Sequence, residues 1–282
     1  MLIHLFNGLV YGTLLIIMCS GLALIYGLRR VINFAHGSFY MLGAYIGYSV
    51  AQHSNFWVAL VAAPTVMALL GVVLDRWGFR LLQDRDPLSV VLVTFGLLLA
   101  IEDFVQTIWG TSNLSVVTPA ALAFSVDLLG TLVPAYRIAV IVVGAAVALG
   151  LTLWLRLSRA GLFVRAASTD PETTAMQGVN TDTVSAIVVG LGTALAGLAG
   201  VVAAPFLSLS PSMSSDVLID SFIVVVVGGL GSLAGAFVAA IVLGLVQALG
   251  AVWLPNASVL LPFLLMVGVL LWKPAGFAGS RT

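Results

Sequence analysis

The sequence predicts an all-α polytopic membrane protein, and three observations carry that prediction. Of its residues 61% are hydrophobic and only 8% are charged, with a mean hydropathy of +1.17. A soluble domain carries about 25% charged residues, so no soluble fold could hide this much apolar surface. The apolar residues gather into segments close to the roughly 20 residues that a helix needs to cross about 30 Å of hydrocarbon. The cations, finally, lie between those segments, and all but one fall on one side.

In chain order the expected spans are Leu5–Gly27, Phe39–Ala51, Phe56–Leu74, Leu88–Trp109, Ile138–Leu155, Ile187–Leu207, Ile219–Val227, Ala236–Leu254 and Val259–Trp272. The second and seventh are short, which gives 8 or 9 transmembrane helices, some of them broken. Met1–His4 contain no Lys or Arg and the apolar run after them has no cleavage-site pattern, so the start reads as a retained span. If the segments alternate, Arg29, Arg30, Arg76, Arg80, Arg85, Arg156, Arg159, Arg165, Lys273 and Arg281 share one side and Arg137 lies opposite. The positive-inside rule then puts the N-terminus outside and the C-terminus in the cytoplasm. Trp109 and Tyr136 flank the longest outer loop, and Trp154 and Trp272 lie near the inner face, either as interfacial aromatics or as lipid-facing bulk.

The longest gaps, Gly110–Arg137 outside and Arg156–Ala186 inside, are too short to fold alone. Residues 1–282 therefore read as a single transmembrane domain with a cytoplasmic loop over about 156–186. Cys19, the only cysteine, sits in an apolar run and cannot form an internal disulfide. There is no G-x-x-x-x-G-K-[ST] loop to hold nucleotide phosphates, so any ATP hydrolysis belongs to another chain. His4, His36 and His53 lack partners at metal-ligand spacing, so no metal is expected, and no basic patch supports nucleic-acid binding.

Both short segments adjoin breaks, Arg29–Ser38 before the second and Gly228–Phe237 after the seventh. Non-helical backbone at membrane depth is tolerated only where protein or a watery cavity satisfies it, and paired breaks point to a pathway. Asn33, His36, Ser38, Gly228, Gly229 and Ser232 are the pathway candidates, although a histidine here could equally be a hydrogen-bonded structural residue. Gly37-Ser38 and Gly231-Ser232, each followed by Gly-Ala and an aromatic, hint at an internal repeat that glycine abundance alone could produce. Gly8 with Gly12, Gly43 with Gly47, and Gly231 with Gly235 and Ala239 recur at four-residue intervals, which lets helices pack closely within the subunit or between subunits.

Charges inside spans are rare. Glu102 and Asp103 interrupt the fourth span about 9–10 Å from its end at Trp109, and either face the bundle or mark an early exit from the membrane. Asp216 and Asp220 bracket the start of the seventh segment, where an acid suits a helix N-terminus as a cap.

Leu155–Ser185 is a polar island between two apolar segments. In it Asp170 reads as an N-cap, Pro171 as the first helical residue and Glu172 as an acid at the positive helix end. Thr173 and Met176 continue the turn to Gly178, the stop. About two turns of helix are unstable alone, so a partner is expected to hold them. Arg156, Arg159 and Arg165 fit lipid-headgroup anchors.

Four stretches carry a resemblance: NGLVYGTLLIIMCSGLALIYGLRRVINFAHGSFYMLGAY, RAASTDPETTAMQGVNTDTVSA, GGLGSLAGAFVAAIVLG and LLWKPAGFAG. Together they resemble the LivH-type membrane permease subunit of branched-chain amino-acid ABC transporters, over nearly the whole length. MCSG, where a small-residue run is commoner, and the mild WKPAGFAG end depart from the pattern without changing the class. The resemblance implies a multi-pass subunit of the bacterial inner membrane paired with a related second permease. It also implies two ATPases, carrying ATP and Mg, on the cytoplasmic loops, a periplasmic substrate-binding protein, and Pro171–Gly178 as the coupling helix. It implies a binding-protein-dependent importer working by ATP-driven alternating access, for leucine, isoleucine and valine or for urea, short amides or other amino acids. An ion-coupled secondary transporter is the rival from another class; it would need carboxylates near mid-membrane and would leave the polar island without a task. An intramembrane enzyme lacks a nucleophile-base pair.

Overall fold

The computed structural model describes residues 1–30, 33–82, 85–128 and 130–279; Arg281 lies outside them. All nine expected segments are helices: α1 (Leu2–Arg29), α2 (His36–His53), α3 (Phe56–Trp77), α4 (Pro87–Trp109) and α5 (Ala135–Leu157), then, after two short helices of the polar island, α6 (Arg159–Thr169) and α7 (Pro171–Met176), α8 (Thr181–Ala203), α9 (Met213–Gly228), α10 (Leu233–Trp253) and α11 (Leu261–Trp272). Seven are long and apolar enough to span a bilayer, α11 being counted with the 3-10 turn Pro255–Leu260 before it. The chain is thus an all-α polytopic membrane protein. The remaining two long helices, α2 and α9, are the segments that looked short, and each begins several residues earlier than its apolar run because its first turn is polar.

Two helices form the centre. α1 and α8 are buried along most of their length, whereas α3, α4, α5 and α11 expose Leu69, Leu92, Leu149 and Leu271 on outward faces that suit lipid. Lipid tails offer no hydrophobic push between helices, so close contact depends on small residues. Gly8 and Gly12 of α1 meet the backbone of α10 at Gly244 and Ala240, and Gly43 of α2 meets Gly197 of α8. The four-residue glycine pairs are therefore occupied inside the subunit.

The gap Gly110–Arg137 holds more order than its sequence implies. Ser125–Leu128 and Thr131–Pro134 pair as an antiparallel hairpin, with Val126 opposite Val133, and Gly130 takes the positive φ of 80° that a tight hairpin turn requires. Leu114 exchanges both backbone hydrogen bonds with Leu209, so this layer caps the end opposite the arginine-rich one.

Candidate functional site

α1 reaches the arginine-rich end at Arg29, but α2 does not start there. His36 Nε2 bonds the carbonyl of Met18 at 3.0 Å, eleven residues back along α1 from Arg29. At 1.5 Å per residue that carbonyl lies about 16 Å inside the helix end. The first break is consequently at membrane depth, where its backbone must find partners within the protein. Among the described residues, Asn33 Oδ1 accepts from the Ala35 amide (3.0 Å), the Phe34 amide donates to Thr94 Oγ1 of α4 (3.3 Å), and Ser38 Oγ donates to the Ala35 carbonyl (2.8 Å). Because a carbonyl can only accept, His36 Nε2 carries the proton and Nδ1 is left as an acceptor. That Nδ1 and Asn33 Nδ2, both buried, have no protein partner among the described residues.

α9 packs directly on this break. A Cβ at Gly37 would run into the Ser214 carbonyl and come within 2.8 Å of Leu218 Cβ. The Ser214 hydroxyl donates to Glu102, and Ser215 adds a longer bond at 3.3 Å. Glu102 thus faces the bundle and ties α4 to α9, while Asp103 beside it is exposed and the helix continues to Trp109.

The cap reading of Asp220 is corrected by the structure. α9 begins at Met213 after Ser212, so Asp216 lies in the first turn and Asp220 a turn further in. Asp220 accepts from Tyr11 Oη of α1 (2.6 Å) and from Gln247 Nε2 of α10 (2.9 and 3.0 Å), joining three helices. An intramembrane carboxylate needs such partners. Tyr11 and Gln247 were not singled out from the sequence; the glutamine alone in an otherwise apolar 21-residue helix was the available signal.

The second break lies elsewhere. Gly231 comes against Gly27 near the arginine-rich end of α1, and Ser232 caps α10 by accepting from the Gly235 amide (3.1 Å). The Phe277 and Ala278 amides bond the Val227 and Gly228 carbonyls at 2.9 and 3.0 Å, satisfying the free end of α9. Gly228 and Gly229 are therefore packed by the C-terminal segment and Ser232 is taken up in capping α10, and the structure does not bring them together with Asn33, His36 and Ser38.

At the arginine-rich end the polar island folds as two helices, of which α6 was not expected. Ser158 caps it through the Gly161 amide (2.9 Å), and Val164 and Ala167 point inward while Arg159 and Arg165 are exposed. α7 follows the expected signals but is one and a half turns long. Asp170 Oδ1 accepts from the Thr173 amide (3.0 Å) and Oδ2 from the Thr173 hydroxyl (2.6 Å), which holds its carboxyl below the usual aspartate range. Gly178 takes φ 83°, as a helix stop should, and Asn180 beyond it caps α8 through the Thr183 amide (3.0 Å). Pro171, Glu172 and Thr173 are exposed, and Met176 is 80% exposed. A cleft of about 510 Å³ separates α7 from the ends of α1 and α4, lined by Arg30, Arg85, Asp170 and Glu172 among others.

Residues 4–270 match the family described as branched-chain amino acid transport system / permease component. The chain is 27% identical to the high-affinity branched-chain amino acid transport system permease protein LivH of Salmonella typhimurium, over 98% of its own length and 94% of the relative's. It is 28% identical to LivH of Escherichia coli K12, with the same coverage. Identity to BraD of Pseudomonas aeruginosa, likewise a high-affinity branched-chain amino acid transport system permease protein, is 28% over 98% of this chain and 95% of that one. No solved structure matches the chain.

Proposed function

Since the chain belongs to the family of branched-chain amino acid transport system permease components, we propose that it carries leucine, isoleucine and valine across the inner membrane in a binding-protein-dependent ABC importer. ATP would be hydrolysed on two separate subunits at the arginine-rich face, a second related permease would complete the path, and a periplasmic protein would deliver the substrate. The observation that carries the coupling to ATPases is α7: a capped, solvent-facing helix that ends in an exposed methionine and leads into the central helix α8. Six helical residues have little stability of their own, and an exposed apolar side chain at their end suits a protein groove. Asp170, Pro171, Glu172, Thr173, Met176 and Gly178 form this contact in our reading. The path would pass the first break, where Asn33, His36 and Ser38 sit at membrane depth beside α9.

Reconstitution with partner ATPases and binding protein tests the substrate. Uptake of labelled leucine driven by ATP is the expected result; ATP-independent uptake that follows an ion gradient would move the protein to the rival class.

Topology is tested separately. With Cys19 replaced, single cysteines at the exposed positions Asn113 and Val117 should react with an impermeant thiol reagent in intact cells, and one at Thr173 should not. Labelling at Thr173 from outside would reverse the orientation.

A further inference from the structure

Exposed arginines are enough to orient a membrane protein, and Arg156, Arg159 and Arg165 are exposed. Arg29 is different. Its side chain is only 16% exposed and that of its partner Asp75 only 4%. Nη2 donates to Asp75 Oδ1 (2.5 Å) and to Ser185 Oγ (2.6 Å), Nε to Ser185 Oγ (3.1 Å), and Nη1 to the Phe79 carbonyl (3.1 Å). Ser185 Oγ in turn donates to Asp75 Oδ1 at 2.8 Å.

Burying an ion pair is a poor route to stability, because desolvation offsets the attraction; what a planar fork of donors provides is fixed geometry. Here it fixes the last residue of α1 to the end of α3, to the turn after α3, and to the first turns of α8. Each attachment has a direction. On one side, α8 follows α7 after only Gln177–Asn180. On the other, α1 is stopped by Arg30, whose φ of 53° is the only positive value for a non-glycine among the described residues, and the break at Asn33–His36 follows. Arg29 and Ser185 also line the cleft beside α7, together with Asp170 and Glu172.

We infer that Arg29, held by Asp75 and Ser185, is the positioning residue that transmits displacement of α7 and α8 to the end of α1 and so to the break at Asn33–His36. The inference rests on the importer reading. Without the latch, ATP turnover continues but moves the break less.

The test uses the complete complex in vesicles, with uptake and ATP hydrolysis measured on the same preparation. Arg29→Met/Asp75→Leu removes both charges and leaves neither partner buried alone. It should hydrolyse ATP yet transport about tenfold fewer molecules per ATP, the size of a typical coupling free energy between sites. Arg29→Lys keeps the charge but not the fork and should also lower the ratio, and Ser185→Ala should lower it less. A substrate-independent reading comes from Phe34→Cys in a Cys19→Ser background: ATP should change its rate of thiol modification, and the latch variants should lose that response. A wild-type response to ATP without leucine uptake would sink the substrate assignment alone. Unchanged transport ratios and an unchanged ATP response in Arg29→Lys and Ser185→Ala would overturn the latch, whether or not the double variant assembles.

Discussion

Replacing Gly229 with leucine should leave the subunit in the membrane and abolish uptake. Its backbone sits at φ 101°, and a Cβ there would come within 2.6 Å of the Gly279 nitrogen and 2.9 Å of the Ala275 carbonyl oxygen. A non-glycine residue in such a conformation costs about 1–3 kcal/mol before any clash is counted. Both neighbouring atoms are backbone, so neither can swing aside, and the C-terminal segment must leave the end of α9. The Val227 and Gly228 carbonyls would then lose the Phe277 and Ala278 amides. Membrane-fraction blots should show normal amounts of protein, while leucine uptake falls to background and the C-terminal segment becomes sensitive to protease. Leu254→Ala, at an exposed position at the opposite end of α10, should transport normally. Normal uptake by Gly229→Leu would show that the docking of this segment is dispensable.

The second large effect is expected at α7. Asp170→Ala removes both acceptors of the cap, and Gly178→Val places a β-branched residue at φ 83°, where the helix must stop. A helix of six residues cannot absorb both losses. The double variant should lose stimulated ATP hydrolysis and uptake together and release the ATPases on purification, while the binding protein's affinity for substrate stays the same. Full assembly with normal stimulated hydrolysis would make the polar island a linker and remove the main structural reason for preferring an ATP-driven importer to an ion-coupled carrier. The cap itself should not respond to pH in the physiological range. The Asp170 carboxyl is held below its ordinary value by the Thr173 donors, so its contribution is complete above the unfolded pKa of about 3.9 and is lost only as pH falls through the lower folded value. Uptake that changed between pH 6 and 8 would have to be traced to another group.

Much of this architecture was legible because the bilayer restricts the options. Apolar runs of about 20 residues can only be helices there, since no water satisfies a free backbone. Local chemistry was equally plain at α7, where Asp170, Pro171 and Gly178 specify a start and a stop within eight residues of each other. The depth of the first break could not be read. Its position depends on the chain climbing back along α1 until His36 meets the Met18 carbonyl, a contact across 18 residues that no local pattern encodes. Asp220 looked like a cap because an acid near a helix start usually is one; only the packing of α1 and α10 on α9 shows that its partners are Tyr11 and Gln247. The two glycine breaks looked alike, yet one is filled by side chains at membrane depth and the other by the C-terminal backbone.

By itself, then, the sequence determined the membrane class, the helical segments, the side on which the cations gather and the capped helix of the polar island. Each of these follows from short-range chemistry: hydropathy along a run, charge between runs, and a cap and stop in adjacent turns. Only the tertiary structure decided which buried polar groups meet. Arg29, Asp75 and Ser185 lie up to 156 residues apart, and their cluster exists because α1, α3 and α8 end at the same depth. Buried charges must find partners wherever the fold brings them, so their pairing is a property of helix packing and not of the local sequence.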